Sequence, residues 1–523
     1  YEATEPFFVG LEDGYRNSLQ SFLRHRWMAL VMVVLCLGLI YFIGKALPSE
    51  LAPLEDRNWV RLQVTAPEGS SYEYTDHFLM QLADFIHDSV PEKEVCLTVT
   101  APGFTGVGAV NFGFVRLRFT DASERERSQQ DLAAYLTKAT SVFSQARIFV
   151  LQEQTISTGG GGPRGGLPVQ FVLQAPNFEK LKSVLPVFLD SAGKSKVFQG
   201  IDVNLKFNRP EIEIAIDREK ARSLGLSAMD IAQTLQLAYS GQRYGYFIQN
   251  GKQYQIIGQV AREDRDEPID LKAYYVRSQS GQMIPLENIA SLKEISSPPQ
   301  LFHYNRYMSA TVSAGLAPGY TISHGIDEMN AIAKQVLDES FSTALTGASR
   351  DFQESSSNVW FAFILALILI YLVLAAQFES FVDPFIIMIT VPLAIAGALL
   401  SLWYFNQTFN IFSQIGIIML IGLVTKNGIL IVEFANQLQR QGKSLAESIR
   451  EASVLRLRPI LMTSIATALG ALPIALALGA GAKSRMGMGI VVVGGILFSL
   501  ILTLYVIPAF YSYLSKPKTN EDI

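Results

Sequence analysis

The sequence predicts an α-helical membrane bundle of six spans joined to a large α+β aqueous part, made of two ferredoxin-like βαββαβ units and a smaller β-rich module. Three observations point there. The 523 residues are 49% hydrophobic but only 17% charged, with a formal charge of −4, whereas a soluble chain has about 25% charged residues. The deficit is confined to six apolar stretches of about 20 residues, long enough to cross a bilayer, in which Lys45, Lys426 and Glu433 are the only charges. Between the first stretch and the other five lies a long segment of ordinary soluble composition, where apolar residues recur at every second position and then at every third or fourth.

Residues 1–26 set Leu11, Tyr15, Leu19, Phe22 and Leu23 at helical spacing. They read as an amphipathic helix at the cytoplasmic membrane interface rather than as a signal peptide, having no short apolar core and no small-residue cleavage site. The first span falls within 27–48. In 49–158, Val60, Leu62 and Val64 alternate as a strand, and Phe78, Leu82, Phe85 and Ile86 mark a helix. Strands at 95–99 and 112–119, a helix through Leu132, Leu136, Ala139 and Phe143, and a strand at 148–151 complete the first unit.

Residues 159–167 are a Gly-rich linker. As a phosphate loop they lack the Gly-Lys-Ser/Thr ending. The second unit takes 168–209 and resumes over 298–352, with Met308 opening a strand and Met329, Ile332, Ala333 and Val336 on a helix. The interruption, 210–297, is β-rich, with hairpin signals at Asn250-Gly251 and Ser280-Gly281. Residues 353–514 contain the other five spans, at 359–376, 385–405, 411–435, 459–479 and 487–511, and 515–523 form a tail.

Basic residues in short loops orient the spans. Arg16, Arg24 and Arg26, then Arg440, Lys443, Arg450, Arg456 and Arg458, then Lys516 and Lys518 all fall on one side if every span crosses. Both ends are therefore expected in the cytoplasm, with the long insertion outside.

The near-neutral charge gives no footprint for nucleic acid. Cys36 and Cys96 lie in different compartments, the five histidines lack ligand spacing, and no Gly-x-Ser-x-Gly, His-Glu-x-x-His or Walker motif occurs. No metal site, cofactor or enzyme activity is expected.

Lys426 is the most informative residue. A lysine inside a span costs about 2.5–3.5 kcal/mol and usually faces a bundle interior or an ion path. Snorkelling is the alternative, but the cytoplasmic end of the span lies about eight residues away, roughly 12 Å. Thr463, early in the next span, shares that membrane half and is either a relay hydroxyl or helix-packing material. Glu433 and Arg456 lie nearer the boundary, as relay groups or solvated end charges. A buried cation needs an acidic partner, and no span has a central Asp or Glu. The partner is expected in other polypeptide.

Outside the membrane, the loop Ala-Pro-Gly-Phe-Thr-Gly-Val-Gly at 101–108 displays Phe104 among Gly103, Gly106 and Gly108. It is either a mobile flap over a pocket or a plain turn. Phe112, Phe114, Arg116 and Arg118 share one strand face, as Trp59, Arg61, Gln63 and Thr65 do on another. Such faces suit an amphiphilic ligand or a domain interface.

Two motifs are more specific: Gly-Leu-Val-Thr-Lys-Asn-Gly-Ile-Leu-Ile-Val-Glu-Phe-Ala from Gly422, and Arg-Leu-Arg-Pro-Ile-Leu-Met-Thr-Ser from Arg456. They closely resemble signatures of the resistance-nodulation-division transporters, in the hydrophobe and amphiphile multidrug-efflux branch of Gram-negative bacteria. Leu54-Glu55-Asp56, the segment 207–226 and Gln282-Met283-Ile284-Pro285-Leu286 extend the likeness over most of the chain.

The resemblance implies the C-terminal half of a twelve-span, inner-membrane proton antiporter linked to antibiotic resistance. The two βαββαβ units would be periplasmic porter subdomains and 210–297 part of a docking domain. Lys426, Thr463 and Arg456 match relay positions, with Asn427 beside the lysine, and the acidic relay residues would belong to the N-terminal half. Phe104 matches a switch-loop phenylalanine, and Phe112, Phe114, Arg61, Gln63 and Arg116 join it as the substrate face. Arg61 and Gln63 stand where a metal-exporting reading wants methionine ligands. A homotrimer, a periplasmic adaptor and an outer-membrane channel are the implied partners, the proton-motive force the energy source. The rival reading is a non-transporting membrane receptor or assembly subunit of the same superfamily that binds lipid or protein.

Overall fold

A computed structural model of the chain describes residues 5–102, 110–152, 155–156, 167–264, 273–298, 300–478 and 482–515. It divides into two compact units, Tyr1–Asn204 with Phe302–Ile523, and Leu205–Leu301.

The first unit begins with α1 (Glu5–Arg24) and α2 (Trp27–Ala46), followed by β1 (Trp59–Thr65), α3 (Tyr72–Ser89), β2 (Lys93–Thr100), β3 (Phe112–Phe119), α4 (Gln129–Thr140) and β4 (Arg147–Gln152). The four strands form an antiparallel sheet in the order β2-β3-β1-β4. Side chains alternate across a strand, so Val60, Leu62 and Val64 bury themselves against Phe78, Leu82 and Ile86 of α3 and Leu132 and Leu136 of α4. Ser71 caps α3, and Ser128 and Asp131 form a capping box on α4, satisfying backbone N–H groups that the first turn leaves free.

A two-pronged ion pair closes one end of this sheet. Arg127 donates Nε and Nη2 to the two oxygens of Glu92, each at 2.6 Å, and these bonds hold the Glu92 carboxyl below the usual carboxylate range. Since the folded-state value is depressed, the pair's contribution is present above the unfolded value, about 4.3, and disappears as pH falls through the folded one. Glu92→Gln is therefore expected to lower the melting temperature at pH 7, with the gap to wild type narrowing below about pH 4. A gap that stays constant down to pH 3 contradicts this assignment.

The chain continues through β5 (Val169–Ala175), α5 (Phe178–Gly193) and β6 (Phe198–Val203), and then enters the second unit. There, β7 (Arg209–Ile216) pairs with β12 (Ala290–Ser297). Between them come α6 (Arg218–Ser223), α7 (Ala228–Leu235), the hairpin β8 (Gln242–Gln249) and β9 (Lys252–Gly258), and the pair β10 (Tyr275–Arg277) and β11 (Met283–Pro285). Asn250 and Gly251 both have positive φ, 52° and 71°, the backbone that a two-residue hairpin turn requires. Ile231, Val276, Ile284, Leu286 and Ile289 fill the unit's core.

Back in the first unit, β13 (Phe302–Tyr304), β14 (Tyr307–Leu316), α8 (Ile322–Val336) and β15 (Ser342–Leu345) rejoin β5 and β6. The sheet order is β13-β14-β5-β15, with β6 also on β14. The remaining helices are α9 (Gly347–Phe378), α10 (Val382–Met388), α11 (Thr390–Tyr404), α12 (Ile411–Arg440), α13 (Leu445–Leu455), α14 (Leu457–Ala475) and α15 (Lys483–Leu514). Counting α10 and α11 as one span, six helical segments among the described residues are long and apolar enough to cross a membrane. The α10–α11 break falls at Ile389; Pro392 cannot donate to the carbonyl four residues earlier.

Helix α15 is the hub, packing on α11, α12 and α14. A Cβ on Gly489 would lie 2.3 Å from the backbone nitrogen of Ala475, so only glycine permits this approach of α15 to α14. The apolar face of α1 is occupied by protein. Tyr15 and Leu19 are buried in the same cluster as Ile449 and Leu504, and the Tyr15 hydroxyl donates to the Leu504 carbonyl at 2.5 Å. Arg458 holds Glu5 at 2.9 Å and Glu12 at 2.5 Å.

Candidate functional site

Lys426 lies 15 residues from the start of α12 and 14 from its end, about 21 Å from either. The helix runs past the expected span end near Ala435 to Arg440, so Lys426 lies in the middle of the helix itself. Its side chain is exposed, on a stripe with Ile415, Met419, Gly422 and Gln437 that this chain's other helices leave uncovered; Glu433, half-buried, continues the stripe. The spacing of three and four residues places them on one helix face. Among the described residues, no carboxylate pairs with Lys426.

The neighbouring residue faces inward. Asn427 is buried and donates Nδ2 to the Ser464 hydroxyl on α14 at 3.3 Å. That bond sets Lys426 and Thr463, each one residue before a bonded partner, at the same level of two helices. The Thr463 hydroxyl is half-buried and donates to the Ile460 carbonyl at 3.3 Å, while Thr467 donates to the Thr463 carbonyl at 2.7 Å. Arg456 sits at the α13–α14 junction, its guanidinium 4.4 Å from the Phe434 ring centroid on α12. Its Nε is buried without a hydrogen-bond acceptor among the described residues.

A buried polar network missed by sequence reasoning joins α10, α12 and α15. Asn436 donates to Asp383 Oδ2 at 3.0 Å, Tyr511 donates to Asn436 Oδ1 at 2.6 Å, and Gln439 donates to the Tyr511 hydroxyl at 2.7 Å. In an apolar surrounding such bonds gain strength and a broken one costs more. Asp383 falls just before the apolar stretch at 385–405; its adjacency to Pro384, a residue favoured at helix starts, is the one local signal for it.

Two contacts mount the sheets on the membrane helices. The buried Glu55 carboxylate accepts from the Ser484 N–H at 3.2 Å, at the N-terminus of α15, where a negative charge is favoured. At the start of α9, Ser349 Oγ accepts from the Gln170 N–H of β5 at 2.9 Å and donates to the Pro168 carbonyl at 3.3 Å.

On the first sheet, the face away from α3 and α4 has Arg61 directly opposite Arg116, Gln63 opposite Phe114 and Thr65 opposite Phe112. Arg61, Gln63, Phe114 and Arg116 are half-buried and Phe112 is buried. The Arg116 guanidinium lies 4.4 Å from the Trp59 ring centroid and that of Arg61 6.0 Å from the Phe114 centroid. Phe104, Gly103, Gly106 and Gly108 lie outside the described residues, as does most of the Gly-rich linker.

The profile of the AcrB/AcrD/AcrF family matches residues 1–515. An uncharacterized transporter of Haemophilus influenzae is 32% identical over 509 residues, 96% of this chain and 48% of that protein. The toluene efflux pump membrane transporter TtgB of Pseudomonas putida is 30% identical over 515 residues, 96% of this chain and 48% of the pump. Multidrug resistance protein MdtC of Proteus mirabilis is 30% identical over 508 residues, again 96% and 48%. The chain spans about half the length of the curated relatives it matches. With a match that runs through both the aqueous sheets and all six membrane-competent helices, the chain belongs to the AcrB/AcrD/AcrF family of resistance-nodulation-division transporters.

Proposed function

We propose that this chain is the C-terminal half of a proton-driven pump of the bacterial inner membrane, exporting amphiphilic compounds by antiport and alternating access. The observation that carries the reading is Lys426, a cation in mid-helix on a face that the chain's own helices leave open. An acidic partner on the N-terminal half would cover it. While that partner is ionised it holds Lys426; its protonation releases the lysine and lets α12 shift against its neighbours. The Asn427–Ser464 bond carries such a shift to α14 and the packing of α12 on α15 carries it to α15. The Glu55–Ser484 and Gln170–Ser349 contacts then pass it to the two sheets, which serve as periplasmic porter subdomains.

The second unit serves as a docking subdomain. Its β8–β9 hairpin exposes Tyr244, Ile248 and Ile257, a large apolar display suited to a protein partner, in keeping with a homotrimer that meets a periplasmic adaptor and an outer-membrane channel. Phe104 and the Arg61–Arg116 face form the substrate path.

The test is accumulation of an amphiphilic dye by cells that lack their own pumps and express the full-length transporter. Accumulation should fall relative to empty cells and recover when a protonophore collapses the proton gradient. A receptor or assembly subunit would leave accumulation unchanged in both conditions.

A further inference from the structure

The turn from α1 into α2 sets three basic residues in a row, Arg24, His25 and Arg26. Arg24 and His25 are exposed and Arg26 is half-buried; among the described residues, no carboxylate pairs with any of them. Arg26 is fixed in place by neutral groups. Its Nε donates to the Leu23 carbonyl at 3.3 Å, its Nη1 donates to the Ser512 carbonyl near the end of α15 at 3.2 Å, and its guanidinium lies 5.7 Å from the Tyr513 ring centroid. Arg16, Lys443 and Arg458, by contrast, each meet a carboxylate. The corner therefore carries positive charge that the described protein does not offset.

Its depth is that of lipid head groups. α2 has 20 residues, about 30 Å of helix and the thickness of the hydrocarbon layer, so the residues just before Trp27 stand at the edge of that layer. Trp27 and Tyr513 are 62% and 55% exposed, and such rings settle at the membrane–water boundary. Deeper along α2, Leu30, Val31, Val34 and Leu35 are exposed, while Ala29 and Cys36 are its buried residues. Trp27, Val31 and Val34 follow the spacing of one helix face. A ligand that satisfies both parts has an anionic head and a long apolar body. Guanidinium groups hold phosphate oxygens in a two-pronged fork, and basic residues beside a span attract anionic lipid.

We propose that the α1–α2 corner binds an anionic phospholipid, its phosphate held between Arg24 and Arg26 and an acyl chain lying along Trp27, Val31 and Val34. The assignment does not depend on the export reading. In the test, the full-length transporter in a non-ionic detergent is titrated with phosphatidylglycerol, with phosphatidylcholine of the same chains, and with inorganic phosphate. Bound lipid is counted by native mass spectrometry. Phosphatidylglycerol should bind ahead of phosphatidylcholine, and phosphate at the same concentration should not displace it, since the acyl chain supplies part of the affinity.

Arg24→Gln should weaken phosphatidylglycerol binding by about fivefold, and Arg24→Gln with Arg26→Gln by about tenfold or more, the effect of a basic residue beside anionic lipid. Phosphatidylcholine binding should stay as it is. The double change also removes the Arg26–Ser512 bond, so two further variants separate charge from packing. Arg24→Gln alone leaves that bond intact, and Arg24→Lys with Arg26→Lys keeps the charge and should retain most of the preference. Equal phosphatidylglycerol binding by the wild type and the glutamine variants overturns the proposal, as does a parallel fall for both lipids. Displacement of phosphatidylglycerol by phosphate assigns the corner to a free anion and overturns it too.

Discussion

Lys426→Ala is expected to reduce export by the full-length transporter to the level of cells without it, while insertion into the membrane stays intact. The two halves of this expectation have one physical origin. The lysine costs about 2.5–3.5 kcal/mol to place in a span, so alanine makes α12 easier to insert and removes only the charge that an acidic partner can hold and release. Helix packing is expected to survive, since Lys426 lies on the exposed stripe and the buried Asn427–Ser464 bond is untouched. Membrane fractionation and dye accumulation measured on the same cells give both readouts. Export at wild-type rates would remove Lys426 from the mechanism.

Arg125→Ala is expected to have the largest effect on stability. The Arg125 side chain is 1% exposed and pairs with Asp56. It also donates to Asn58 Oδ1 at 2.9 Å, to the Arg127 carbonyl at 2.7 Å and to the Thr120 carbonyl at 3.0 Å. Alanine would leave the largely buried Asp56 carboxylate without its counter-charge, held only by the Asn58 and Gln129 N–H groups at 3.2 and 2.9 Å, and would deprive two carbonyls of their donor, a loss of about 3–5 kcal/mol against a usual domain stability of about 5–15 kcal/mol. Limited proteolysis should show cleavage within residues 49–158 well below the wild-type melting temperature. Arg125→Lys, with one point charge in place of the fork, should fall between the two. A variant that resists protease like the wild type would show that Asp56 finds solvent or another partner.

What could be read in the sequence follows from which interactions are local. The six membrane-competent helices were legible because bilayer thickness sets a minimum apolar length and charge is costly inside it. Their ends were not, since hydropathy reports membrane rather than helix: α9 starts at Gly347, twelve residues before the expected span. The alternation at Val60, Leu62 and Val64 is visible in one strand alone, and the same residues are buried in the sheet.

The Asp383–Asn436–Tyr511–Gln439 network has its members on three helices far apart in the chain, and no local pattern brings them together. For α1, the amphipathic period was plain, but the occupant of its apolar face, through Tyr15 and Leu19, depends on tertiary packing. At the candidate relay, residue types and motif spacing pointed to Lys426 and Thr463. The Asn427–Ser464 bond that sets them level comes only from the fold.

The central claim, that this chain carries half of a proton-coupling pair, is tested most directly by substrate-driven proton flux. The full-length transporter, in liposomes holding an imposed pH gradient and a trapped pH indicator, should dissipate the gradient faster when an amphiphile is added. The Lys426→Ala protein, inserted to the same level, should show no substrate-dependent change. Equal substrate-stimulated flux in both proteins, or none in the wild type, would contradict the account.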